Sequence, residues 1–180
     1  MLQITIPATE GWDSQKEEFV EIEKEQTLQL EHSLVSISKW ESKYCKPFLG
    51  NQEKTTGEII DYIKCMTITQ NVKDDIYYRL TKQNIDDINN YISAPMTATT
   101  FNQMNSQGSR EIVTSELIYY WMIALQIPME CQRWHINRLL TLVRICNIKN
   151  NPGKKMNNRE IASNYASINA ARRAKMGTRG

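Results

Sequence analysis

The feature that most restricts this chain is the stretch from Ser109 to Asn147, SREIVTSELIYYWMIALQIPMECQRWHINRLLTLVRICN. It contains two of the four tryptophans, Trp121 and Trp134, and reads as two strongly apolar helices hinged at Ile127-Pro128. Ser109 or Thr114 is placed to cap the first, and Ser115 or Glu116 can also meet its free amides. Pro128 suits the first turn of the second helix, where a missing N–H costs nothing. Ile136, Leu139, Leu140, Val143 and Cys146 fall on one face of that helix, with Gln132, Arg133, Asn137 and Arg144 largely outside. The expectation is an antiparallel hairpin that buries about ten large side chains at about 1.5–3 kcal/mol each and forms the stability centre of the domain. Such a stretch is built to pack, on itself or on a partner, which directs the search for function towards binding rather than chemistry.

The 180 residues suffice for one ordinary domain with a real core. Hydrophobic residues at 41% and charged residues at 23% exclude a disordered composition. The longest apolar run, Leu117 to Leu125, is about half of what a bilayer span needs. The N-terminus MLQITIPATEGW lacks the basic start and long apolar run of a secretory signal, so the expected location is the cytoplasm, with no membrane partner. The formal charge of +2 is unevenly spread: Val143 to Gly180 carries +8 and the rest of the chain −6. This is the pattern of an acidic body with a basic C-terminal arm.

Leu2 to Ile6 alternates as a short strand, which Pro7 ends by removing a ladder donor. The next residues, ATEGWDSQK, read as a loop. Phe19 to Leu30 fits a strand pair or one bent strand better than an acidic helix. From Ser33 the period becomes helical, with Leu34, Ile37, Trp40, Glu41 and Tyr44 at three- and four-residue steps, until Lys46-Pro47. Thr55-Thr56-Gly57-Glu58 has capping-box spacing ahead of Ile59, Ile60, Tyr62, Ile63 and Met66. Lys73–Leu80 and Asn84–Tyr91 read as two short helices, and Ala94 to Gly108 as a polar linker. Asn157 is placed to cap a last, weakly amphipathic basic helix. The fold class expected is mainly α, a helical bundle with a small N-terminal β element, α+β being the variant. The expected division is a β-containing segment over 1–31, a helical core over 32–149, and a basic C-terminal helix and tail over 150–180.

Chemistry is sparse. There is no glycine-rich phosphate loop and no nucleophile elbow. His32 and His135 lack a nominated nucleophile and orienting acid, and read as structural. Cys45, Cys65, Cys131 and Cys146 are too widely spaced for a zinc or redox motif and read as reduced, small core residues. Asp74-Asp75 and Asp86-Asp87 could hold magnesium but more simply serve the start of a helix. No catalytic residue, metal or cofactor is expected, and the chain reads as not an enzyme. Lys154, Lys155, Arg172 and Arg173 lead a basic arm that could neutralise phosphates, although almost no aromatic residue accompanies them for stacking.

The segments TLQLEHSLVSISKWESKY, SREIVTSELIYYWMIALQIPMECQRWHINRLLTLVRICNIKN and NAARRAKMGTRG together resemble the tail assembly chaperones of tailed bacteriophages, over most of the chain from Thr27 onward. The resemblance implies a non-enzymatic role in the host cell cytoplasm. Such chaperones bind the long, helical, apolar tape measure protein before the tail tube polymerises around it, and they are absent from the finished particle. The family supplies no catalytic residues. On this chain the expected anchors for a helical client are Leu117, Trp121, Leu125, Trp134 and Leu139, the same side chains that an ordinary core requires. The partner expected is the tape measure protein or another tail protein, with a homo-oligomer possible. Two alternatives stand beside it: a virion component such as a connector or minor tail subunit, and a small nucleic-acid-binding module using the basic arm.

Overall fold

The computed structural model describes residues 1–13, 17–50, 52–101, 111–150, 165–170, 172–173 and 176–177. The chain is mainly helical with a small β element at its N-terminal end. Residues 1–144 form one compact unit and 145–180 a second. The strands therefore share a unit with most of the helices.

Strand β1 (Leu2–Ile6) pairs antiparallel with β4 (Gln26–Leu30), setting Leu2 opposite Leu30 and Ile4 opposite Leu28. The two-residue period buries Ile4, Ile6, Leu28 and Leu30 on one face and leaves Gln3, Thr5 and Gln29 exposed on the other. The outer edge of β4 is covered rather than left open: Ile68 N donates to Gln29 O at 2.8 Å and Glu31 N to Met66 O at 2.9 Å. Between these strands lies a second antiparallel pair, β2 (Thr9–Asp13) with β3 (Glu18–Glu23). The expected loop over ATEGWDSQK is thus a strand in its first half. Gly11 and the flanking acids gave it the composition of a turn, but cross-strand pairing of Trp12 with Phe19 holds it extended.

Helix α1 (Leu34–Tyr44) starts where its sequence signals it, with the Ser33 side chain accepting from Ser36 N, and ends at Cys45 in the left-handed region at φ 52°. Leu34, Ile37 and Trp40 point into the core. Helix α2 (Thr56–Met66) opens with the full capping box: Glu58 N donates to Thr55 Oγ1 and Thr55 N to Glu58 Oε2. The Trp40 indole N–H donates to Glu58 O at 2.9 Å, tying the two helices at this end. Thr55→Ala should lower stability by about 1 kcal/mol, visible as a lower urea midpoint at unchanged slope.

The short helix expected over Lys73–Leu80 is a 3-10 helix over Asp74–Arg79, and α3 (Lys82–Ser93) follows with Thr81 and Asn84 forming a second reciprocal cap. Asn84 also donates to Thr5 O at 3.1 Å, fastening α3 to β1. Asp74 and Asp75 sit in the first turn of their segment. Asp86 and Asp87 do not begin a helix: they lie in the middle of α3, where Asp87 accepts from Gln83 one turn earlier. Of the linker read over Ala94 to Gly108, residues 94–101 carry no helix or strand and 102–108 lie outside the described residues.

Helix α4 (Ser115–Ala124) is capped by Thr114, whose side chain accepts from Leu117 N. It ends earlier than the expected hinge. Gln126 adopts φ 54°, Ile127 N donates back to Met122 O at 2.8 Å and Gln126 N to Ile123 O at 3.1 Å, which is the Schellman arrangement with glutamine in the glycine position. Its usual apolar contact is supplied by Ile127 and Met122, both buried. Pro128 precedes a 3-10 turn, Met129–Arg133, and α5 (Ile136–Asn150) begins only after it. The joint is thus about ten residues long, not a dipeptide, and α4 packs chiefly on α1 instead of forming a tight hairpin with α5. The core is correspondingly spread across β1, β4, α1, α2, α3, α4 and the start of α5.

Candidate interaction surface

Three features could carry function: a buried histidine pair, the outer face of α4, and the basic arm.

His32 and His135, 103 positions apart, meet edge to face with ring centroids 5.1 Å apart. The chain segment around them is a crossing point. Ile136 N donates to His32 O at 2.7 Å, and Ser33 bridges to His135 as a short antiparallel contact. Both histidines are buried, at 2% and 5% exposure. The Tyr62 phenol, whose pKa is pushed well up by burial, donates to His32 Nδ1. His135 Nε2 bonds the Tyr91 carbonyl at 3.0 Å and so carries the proton, while its Nδ1 accepts from Asn137 N at 3.3 Å. Burial, then the neighbouring His135, lowers the His32 pKa to about 4, and burial lowers that of His135. Both ring nitrogens of His135 are thus partnered, and Nδ1 of His32 is held by Tyr62. Among the described residues no Ser, Thr or Cys side chain bonds either ring, and no three His, Cys, Asp or Glu side chains converge as a metal site. What the pair does is hold four chain segments together, those around His32, Tyr62, Tyr91 and His135. Separation in sequence hid it, since neither histidine has a local motif.

Helix α4 is apolar on every side, yet its own chain covers one stripe only. Ser115, Ile118 and Met122 are buried against the unit. Tyr120 is 64% exposed and Ile123 68%, and Ile112 just ahead of the helix is 65% exposed. Leu117, Trp121 and Leu125 are half-buried at the margin. Beside them, Leu49, Ile112, Val113, Trp121 and Leu140 line a groove of about 440 Å3 between α4 and the start of α5. The helix is held from below by Glu41, a buried carboxylate on α1. Its Oε2 accepts from Ser115 N and its Oε1 from Phe48 N, each at 2.7 Å. An anion at the amide end of α4 also suits the helix dipole.

The five expected anchors do not form one set. Trp121 lines the groove, with Leu117 and Leu125 half-buried on α4 and just past its end. Trp134 is half-buried elsewhere, with the Arg138 guanidinium 4.3 Å over its ring. Leu139 has no exposure and belongs to the core. Tyr120, Ile123 and Ile112 were missed, although an all-round apolar helix was signal enough that some side must stay uncovered. Of the basic arm, Arg172 and Arg173 are exposed in short helical turns, whereas Lys154, Lys155 and the Asn157 cap lie outside the described residues. The cysteines are free thiols; Cys131 alone is buried, and Cys45 is an exposed helix terminus rather than a core residue. Among the described residues no helix is long and apolar enough to cross a membrane. Comparison with protein-family models, with characterised proteins and with solved structures finds no match.

Proposed function

We propose that this chain is a non-enzymatic assembly chaperone of a tailed bacteriophage, acting in the host cytoplasm on a helical, apolar client of the tape measure kind. One observation carries the binding part of this reading: α4 presents Tyr120 and Ile123 to solvent beside the groove lined by Trp121 and Leu140. An amphipathic client helix can lay its apolar face into such a groove, with anchors spaced one turn apart. The sequence resemblance to tail assembly chaperones supplies the client class.

The test is co-expression with a tape measure fragment that is insoluble alone. The wild-type chain should raise its soluble fraction several-fold. Tyr120→Asp with Ile123→Asp should abolish the gain while moving stability by less than about 0.5 kcal/mol, since both side chains are already in water. No gain with the wild type, or an equal gain with the variant, would remove the proposal. Mass spectrometry of purified particles separates it from a virion component, which would be retained.

A further inference from the structure

We propose that the β2–β3 ribbon is a docking site for the basic C-terminal segment of a second copy of this chain, so that copies associate head to tail. This does not rest on the client-binding reading and uses a different surface.

The ribbon is unusual in three respects. Its strands pair with each other and with no further strand among the described residues, so it is a two-stranded arm whose faces and edges lack a sheet partner. It carries two large aromatic side chains directly across from one another, Trp12 and Phe19, with rings 5.2 Å apart at 71°. Such a pair ordinarily steadies a sheet by packing under a neighbour. Here Trp12 is 56% and Phe19 70% exposed, so the ring faces meet water. Finally, Thr9 to Gln26 contains seven acids and two bases, a net −5. The register sets Glu10 opposite Glu21, two positions from the aromatic pair. Exposed Glu10, Glu17 and Glu25 add to the field. Arg79 does not offset it at the aromatic end. That guanidinium is bound at the ribbon's base, to Glu23 at 2.7 Å and to the Pro7 carbonyl at 2.6 Å.

Aromatic faces within a negative field suit one ligand chemistry above others, an arginine- or lysine-rich segment. The guanidinium stacks on the ring, and the surrounding carboxylates hold it there. The chain carries such a segment. Residues 145–180 have eight Lys/Arg against one Glu, a net +7, and Arg172 and Arg173 are exposed on helical turns. A net −5 on the ribbon and +7 on the arm are complementary within one sequence, and the occupant proposed is a second copy; an arm bound to its own ribbon would leave the chain monomeric at low salt. Because ribbon and arm are different patches, the contact is heterologous and repeats from copy to copy, giving a ring or an open chain.

Sedimentation velocity of the full chain tests this. At low salt the mass should grow with protein concentration, and at about 1 M salt, where the screening length is about 3 Å, the chain should sediment as a monomer. Trp12→Ser with Phe19→Ser should weaken association about tenfold or more, the loss of stacked cations. Arg172→Glu with Arg173→Glu should do the same, and neither residue takes part in the β2–β3 pairing. Ribbon reversal, Glu10→Lys, Glu17→Lys and Glu25→Lys, should also give monomers. Mixing the ribbon-reversed and arm-reversed proteins should restore association. A wild type that stays monomeric at low salt, association indifferent to either set, or a mixture that fails to associate would each overturn the proposal.

Discussion

Glu41→Ala is expected to cost about 4 kcal/mol of stability. The carboxylate is 7% exposed and its two oxygens accept from two backbone amides, Phe48 N and Ser115 N, which are 67 residues apart. Hydrogen bonds to a charged acceptor are worth about 1.5–3 kcal/mol each, and their removal strands two amides that water reaches poorly. The effect is also spatially defined. Glu41 joins α1 to the turn after it and to the first turn of α4, so hydrogen exchange should speed up at the start of α4 before elsewhere. Glu41→Gln separates geometry from charge. Its amide offers one acceptor and one donor to two donors, so it should recover less than half of the loss. Equal urea midpoints for wild type and Glu41→Ala would refute the assignment.

The second large effect is acid sensitivity centred on the histidine pair. In the unfolded chain His32 titrates near its ordinary value of about 6.5, and in the folded chain near 4. Below pH 6.5 the unfolded state therefore binds more protons than the folded state, and stability falls as the pH falls. The contribution is fully present above pH 6.5 and is lost progressively down to pH 4, amounting to about 3 kcal/mol over that window. His135, lowered in the same sense, adds to the loss. Local geometry explains why the fold resists the proton: a protonated His135 would turn an N–H at Nδ1 towards the amide of Asn137. Urea titrations at pH 8, 7, 6 and 5 should show a midpoint that is flat above pH 7 and then drops. A flat midpoint down to pH 5 would contradict the neutral assignment. His32→Gln should shallow the drop, at some cost in stability at pH 8 through the lost contact with Tyr62.

Local signals were legible in the sequence and long-range ones were not. The strand over Leu2–Ile6, the helical period from Ser33 and the Thr55–Glu58 box all rest on residues within four positions of each other, and the structure contains each of them. The mainly helical class followed from the same patterns. β2 escaped because its register depends on Phe19 across the ribbon, not on its own alternation. The 3-10 turn after Pro128 escaped because Met129–Arg133 has no period long enough to read. The candidate surface was half legible. Sequence periodicity marks Leu117, Trp121 and Leu125 but cannot tell which side of an all-apolar helix is covered, and Leu139, readable as inner face or as anchor, is core. Glu41 did leave a trace: a lone acid within the apolar face made by Leu34, Ile37 and Trp40. A charge in that position needs a partner, and the partners were amides that no sequence pattern reveals.

The bridge from His32 to Ile136 sets a schedule for making the protein. The strands and α1 emerge from the ribosome first, but the residues that close over them arrive about a hundred positions later. Until then the backbone at His32 lacks the partner that Ile136 supplies, and a nascent chain stalled ahead of residue 135 has not made this closure. Late closure of this kind slows folding, since the loop must be gathered before any contact across it repays the entropy. Truncations that stop short of α5 should therefore yield aggregates rather than a smaller soluble domain.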